Sequence, residues 1–162
     1  MVVILFGVTG SGKTTVGSLL SATLDWKFYD ADDFHPKANV EKMRQGIPLT
    51  DEDRTPWLAS LRERIQKSLD EGEHAVLACS ALKETYRQYL HISEDVKFVH
   101  LKGSFDLIRD RLSKRIGHYM NPGLLQSQFN TLEEPKTPVF VANIGKSPAE
   151  IVEDIIQYIK PI

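Results

Sequence analysis

Five short apolar runs alternate along the chain with segments whose apolar residues recur every three or four positions. The runs are Val2 to Phe6, Trp26 to Tyr29, His74 to Cys79, Val96 to Leu101 and Val139 to Ala142. Runs of this length, bounded by turn residues, read as buried strands. Between them, Lys13 to Leu24 reads as a helix, and Pro36 to Gln45 as a short one closed by Gly46. A second start signal spans Thr50 to Pro56, within which Thr55 can cap a further helix with Pro56 at its first position, and Trp57, Leu58, Leu61, Ile65 and Leu69 supply its apolar stripe. A helix is expected from Ser80, another over Ser104 to Ile116 with Ile108, Leu112 and Ile116 on one side, and a short one over Leu124 to Leu132. Ser147-Pro148-Ala149-Glu150 is a capping box that opens the last helix, whose buried stripe is Ile151, Ile155 and Ile159. Strand and helix alternate throughout, which predicts an α/β fold: a five-stranded parallel sheet with helices on both faces. No repeat, low-complexity tract or linker interrupts residues 1–162, so one domain is expected.

Composition narrows the class without changing that picture. The chain has 162 residues, 41% hydrophobic and 26% charged, with a formal net charge of -2. This length buries a core without disulfides or structural metal. The absence of a basic excess argues against nucleic acid as a standing partner, although an anionic small molecule needs only a local cluster. Cys79 is the only cysteine, so no intrachain disulfide forms, in keeping with a reducing, cytoplasmic setting. The apolar N-terminus lacks a basic flank and reads as a strand, not a signal peptide. No segment reaches the ~20 apolar residues of a membrane span, so no membrane partner is expected. Oligomeric state is left open, a homodimer included.

The candidate chemistry starts where the first strand ends. Gly7-Val8-Thr9-Gly10-Ser11-Gly12-Lys13-Thr14 matches the phosphate-loop pattern G-x-x-x-x-G-K-[ST] between a strand and a helix, its required context. Glycines let successive N–H groups converge on phosphate oxygens at the positive end of the helix dipole. Residues Gly7 to Thr15 are therefore the expected nucleotide-binding set, with Lys13 on the β- and γ-phosphates and the Thr14 hydroxyl on Mg²⁺. The second strand ends in Asp30-Ala31-Asp32-Asp33. Residues two apart on an extended chain share a side, which aims Asp30 and Asp32 together at the sheet's carboxyl edge. One can serve Mg²⁺ and the other a substrate hydroxyl; the alternative is helix capping by Asp32 or Asp33.

Further candidates are less determined. His35 either touches ligand or caps the next helix, and Arg54 either pairs with Asp51, Glu52 and Asp53 or reaches an anionic substrate. Lys83 and Arg87 would add charge to a helix N-terminus beginning at Ser80, unless Ser80 merely caps and Lys83 is solvated. Arg111, Arg115 and His118 fall near one face of a helix that leads into a glycine- and proline-marked segment, which reads as a lid over roughly 111–135. The alternative is a solvated basic face paired with Asp106 or Asp110.

Together these blocks resemble the gluconokinases, small phosphate-loop kinases of sugar acids. The resemblance is carried by Gly7 to Thr14; Asp30 to Pro36 with Asn39, Lys42-Met43 and Gly46; and Pro48-Leu49, Asp51, Asp53-Arg54 and Pro56-Trp57-Leu58. It continues through Cys79 to Lys83 with Tyr86-Arg87, Arg111-Leu112, Arg115, Gly117-His118, Ser127-Gln128-Phe129, Leu132-Glu133 and Pro135. Ala31 stands where that family often has glycine, and Thr14 where serine is frequent. The resemblance implies a three-layer α/β/α phosphate-loop kinase with a helical lid that uses ATP and Mg²⁺ to phosphorylate gluconate on its 6-hydroxyl. In that scheme Lys13, Asp32, Arg111 and Arg115 are catalytic, Thr14 and Asp30 serve the metal, and Asp32, His35, Arg54, Lys83, Arg87 and His118 meet gluconate. Rival readings are a shikimate or nucleoside monophosphate kinase, which share the layout, and a nucleotide switch, against which stands the missing Asn-Lys-x-Asp motif.

Overall fold

The computed structural model describes residues 1–114, 122–136 and 138–160, of which 122–124 as backbone only. Its centre is a sheet of five parallel strands in the order β2-β3-β1-β4-β5: β1 (Val2–Phe6), β2 (Lys27–Asp30), β3 (Ala75–Ala78), β4 (Val96–Lys102) and β5 (Phe140–Asn143). Seven helices are described around it: α1 (Lys13–Leu24), α2 (Lys37–Arg44), α3 (Asp51–Asp70), α4 (Glu84–Leu90), α5 (Phe105–Ser113), α6 (Pro122–Thr131) and α7 (Pro148–Ile159).

β1 is buried along its whole length because alternate side chains feed two separate cores. Val3 and Leu5 pack with Val16 and Leu20 of α1, Ile108 of α5, and Ile151 and Ile155 of α7. Ile4 and Phe6 pack with Trp57, Leu61 and Ile65 of α3 and Leu90 of α4. The result is the expected three-layer α/β/α arrangement. Because β1 lies between β3 and β4 while the chain runs first to one side and then the other, the loops after β1, β2 and β3 open at one carboxyl edge.

The starts of α3 and α4 differ from the sequence reading in ways that bear on the site. α3 starts at Asp51 instead of Pro56, because Thr50 and Asp53 form a reciprocal capping box that satisfies two end donors; Pro56 then lies inside the helix. α4 starts at Glu84 instead of Ser80: Ala81 takes a left-handed φ of 38°, which keeps Ser80 to Lys83 out of helical geometry. The anion-binding helix end expected at Ser80 is therefore not there. α5 runs to Ser113 with Lys114 as its cap; Arg115, the expected helix end at Ile116 and His118 lie outside the described residues.

Candidate active site

The loop between β1 and α1 is shaped by two left-handed glycines. Gly12, at φ 97°, caps α1 and turns the chain into it. Gly10, at φ 82°, lies so close to α5 that a Cβ would meet Leu112 at 2.8 Å. Among the described residues no acceptor meets the N–H of Lys13, Thr14 or Thr15, which leaves the positive first turn of α1 open. The Lys13 ammonium turns back onto the loop and donates to Gly7 O and Val8 O, each at 3.0 Å. Burial lowers its pKa, against the opposing pull of Cys79, Asp32 and Asp30. An ammonium held by carbonyls alone, beside free N–H groups, matches the donor chemistry that a polyphosphate requires.

Asp30 and Asp32 both border a cleft of about 650 Å³ together with Lys13 and Thr14. They arrive there by another route than strand alternation. Asp30 ends β2 and caps a 3-10 turn, Ala31–Phe34, its Oδ1 accepting from the Asp32 N–H at 3.0 Å. α3 fixes that turn from behind, since buried Trp57 donates Nε1–H to Ala31 O at 2.7 Å. Burial raises the Asp32 pKa and neighbouring Asp30 raises it further, while His35 and Lys13 oppose the shift. Cys79, buried behind the loop with its thiol pushed up to about 12, is a core residue.

His35 and Arg54 also border the cleft. The His35 ring stacks on Trp57 at 4.5 Å between centroids. Arg54 lies 3.8 Å from Asp51 and 3.4 Å from the Tyr86 hydroxyl, so it is paired, as one of its two sequence readings has it, and it also borders the cleft. Lys83 donates to both carboxylate oxygens of Asp51, at 2.8 and 3.1 Å, and Tyr86 donates its phenol to the same group. Lys83 is thus neither a solvated lysine nor a free anion receptor.

Arg87 requires a correction. It is 0% exposed and does not border the cleft. Its guanidinium donates to Glu84, to the carbonyls of Ala81 and Leu82, and to Glu133 O at 2.6 Å. The group ties the β3–α4 loop to the segment after α6, because Arg is the side chain with enough donors to satisfy four acceptors in one plane.

Arg111 is placed away from the acidic pair. It donates to Ile144 O and borders a smaller pocket with Gly10, Gly12, Thr15, Lys146 and Pro148, on the far side of the loop. Both cavities share Gly10, Gly12 and Thr15. The sequence reading assigned no role to Gln128 of α6, whose amide clasps Thr9: Oε1 accepts from the Thr9 N–H at 2.6 Å and Nε2 donates to its hydroxyl at 2.8 Å. Its only signal in the sequence was the Ser127-Gln128-Phe129 block of the resemblance.

The sequence profile of the shikimate kinase family matches residues 9–160. The chain is 46% identical to a probable gluconokinase of Xenopus tropicalis, covering 96% of this chain and 91% of that one. It is 44% identical to a gluconokinase of Gluconobacter oxydans over 96% and 89% of the two chains. A solved gluconokinase from Sinorhizobium meliloti 1021 superposes with a TM-score of 0.85 at 40% identity, covering 96% of this chain and 89% of that one.

Proposed function

This chain belongs to the gluconokinase family, and on that premise we propose that it transfers the γ-phosphoryl group of ATP to the 6-hydroxyl of D-gluconate, giving 6-phospho-D-gluconate and ADP. The observation that supports the reading most is the meeting of two cavities on one phosphate loop, with the acidic pair on one side only. The smaller pocket suits the nucleoside, and the larger cleft has room for a six-carbon sugar acid beside the γ-phosphate.

The residues divide the work accordingly. Lys13 leaves its loop carbonyls for phosphate oxygens and, with the N–H groups of Gly12 to Thr15, stabilises the charge that develops in transfer. Asp32 accepts the proton of the attacking hydroxyl; its raised pKa brings it closer to the basicity a neutral-pH base needs. Thr14 and Asp30, on the same cleft, suit Mg²⁺, which when bound supplies charge neutralisation at the β- and γ-oxygens. Arg54 and His35 orient the sugar acid, with Lys83 acting from behind through Asp51. Arg111 grips the nucleotide. Arg115 and His118 stay in the proposal as lid groups on the strength of the resemblance alone. A cytoplasmic setting belongs to the same reading, supported by the single buried cysteine.

The shikimate kinase profile raises a second acceptor, and the 46% and 44% identities to gluconokinases argue against it. Phosphorus NMR of the product decides the chemistry. The expected product is one phosphate ester coupled to the two C6 protons of gluconate; an ester at another carbon, or none, would refute the proposal.

A further inference from the structure

Asn39 is a polar side chain with 3% exposure, set between two elements that both border the cleft. Its Nδ2 donates to Asp53 O in the first turn of α3 at 2.7 Å and lies 3.2 Å from His35 Nδ1. The first bond fixes which way the amide points, since the flipped amide would set its oxygen against a carbonyl oxygen at the same distance. The second N–H of Nδ2 then faces His35 Nδ1, which must offer a lone pair. A ring that accepts at Nδ1 is neutral and carries its proton on Nε2.

We infer that Asn39 is a positioning residue that locks His35 as the neutral, Nε2-protonated tautomer, presenting one N–H donor to an oxygen of the acceptor substrate. The naming of that acceptor as a sugar acid rests on the function proposed above; the tautomer does not. Two further features agree. Stacking on Trp57 holds the ring plane, and His35 is one of the residues that border the cleft. Among the described residues no protein group bonds His35 Nε2, which leaves that donor for ligand. The charged groups facing the ring are Asp32 from the 3-10 turn and Arg54 from α3, and they oppose one another; burial sets the net direction and lowers the His35 pKa.

The consequence is a recognition role distinct from those of Lys13 and Asp32. A neutral donor bonds a polyol oxygen without adding a cation beside the transferring phosphoryl group, whereas an imidazolium would compete for the Asp32 carboxylate. Asp53 also receives Lys42 at 2.9 Å and caps α3. The chain from α3 through Asn39 to His35 is therefore braced at its base.

The test is long-range proton–nitrogen NMR of the ¹⁵N-histidine-labelled, substrate-free chain at neutral pH, with His35 assigned from its missing signals in His35→Gln. Nδ1 is expected in the unprotonated range and Nε2 in the protonated range, with the Nε2 signal shifting on addition of gluconate. A proton on Nδ1, as neutral tautomer or imidazolium, would overturn the inference, as would an Nε2 signal indifferent to gluconate in a chain that turns gluconate over. Asn39→Asp replaces the donor with an acceptor and should move the His35 proton to Nδ1. It should lower kcat/KM for gluconate about tenfold, as loss of one specific hydrogen bond does, and leave KM for ATP within about twofold. Equal losses for both substrates would reduce Asn39 to a packing residue and refute the claim. Should that variant not fold, the labelled parent chain decides alone.

Discussion

The phosphate loop and the acceptor wall face each other across Lys13, yet they are assembled in different ways. The loop is one contiguous stretch whose working groups are backbone N–H donors and a helix end, so the residues that set its shape are also its neighbours in sequence. The acceptor wall draws side chains from the 3-10 turn, α2, α3 and the β3–α4 loop, and most of its charges already hold internal partners. Lys83 is spent on Asp51 and Lys42 on Asp53, and behind the wall Arg87 is spent on Glu84 and three carbonyls. Backbone sites are read from spacing; side-chain sites depend on which of several carboxylates a cation finds in the fold.

That contrast can be broken in four places. Removing the Lys13 ammonium with Lys13→Met strikes the backbone-built half at its one side-chain charge, and steady-state assays should show kcat down about 10³-fold. Behind the wall, Arg87→Leu should act on stability and not on chemistry. Losing a buried cation while Glu84 stays buried costs about 3 kcal/mol, measured by denaturant unfolding at pH 7. KM for gluconate should stay within about twofold in the folded fraction, and a selective rise in that KM would return Arg87 to the substrate site.

Asp32→Asn should lower kcat about 10²-fold or more with little change in ATP affinity. In the parent chain the acid limb of kcat/KM should lie above the ordinary carboxylate value of 3.8, since burial and Asp30 favour the protonated form, and the variant should lack that limb. The same raised pKa means the ionised carboxylate opposes folding at neutral pH, so the Asn variant should melt no lower than its parent. The mildest change tests the division between the two cavities. Arg111→Ala should raise KM for ATP about tenfold and spare KM for gluconate, because Arg111 sits with Lys146 and Pro148 on the far side of the loop.

How much of this was legible in the sequence follows the same contrast. The parallel sheet was, because the apolar runs and helical stripes are local signals that tertiary packing reinforced, with β1 feeding both cores. Asp30 and Asp32 were placed at the right edge by an argument from strand alternation that the chain does not use; the Asp30 cap on a 3-10 turn brings both carboxylates to the same cleft. Thr55-Pro56 looked like a helix start because it has the residue types of one, but Thr50 and Asp53 form a reciprocal box five residues earlier. Arg87 read as a cation for an anion site, since nothing local shows that four acceptors surround it, one of them Glu133 O from a distant segment. Gln128 and Asn39 act through bonds to Thr9 and Asp53, at separations of 119 and 14 residues, and no periodicity encodes such a pairing.

The central claim is that a nucleotide pocket and a sugar-acid cleft share one phosphate loop, and ADP release with a panel of acceptors tests it most directly. With ATP and Mg²⁺ held constant, gluconate should accelerate release about 10²-fold or more over the acceptor-free rate, while shikimate and nucleoside monophosphates leave it near that baseline. Stimulation by shikimate or a nucleotide in place of gluconate, or slow release indifferent to every acceptor, would contradict the account.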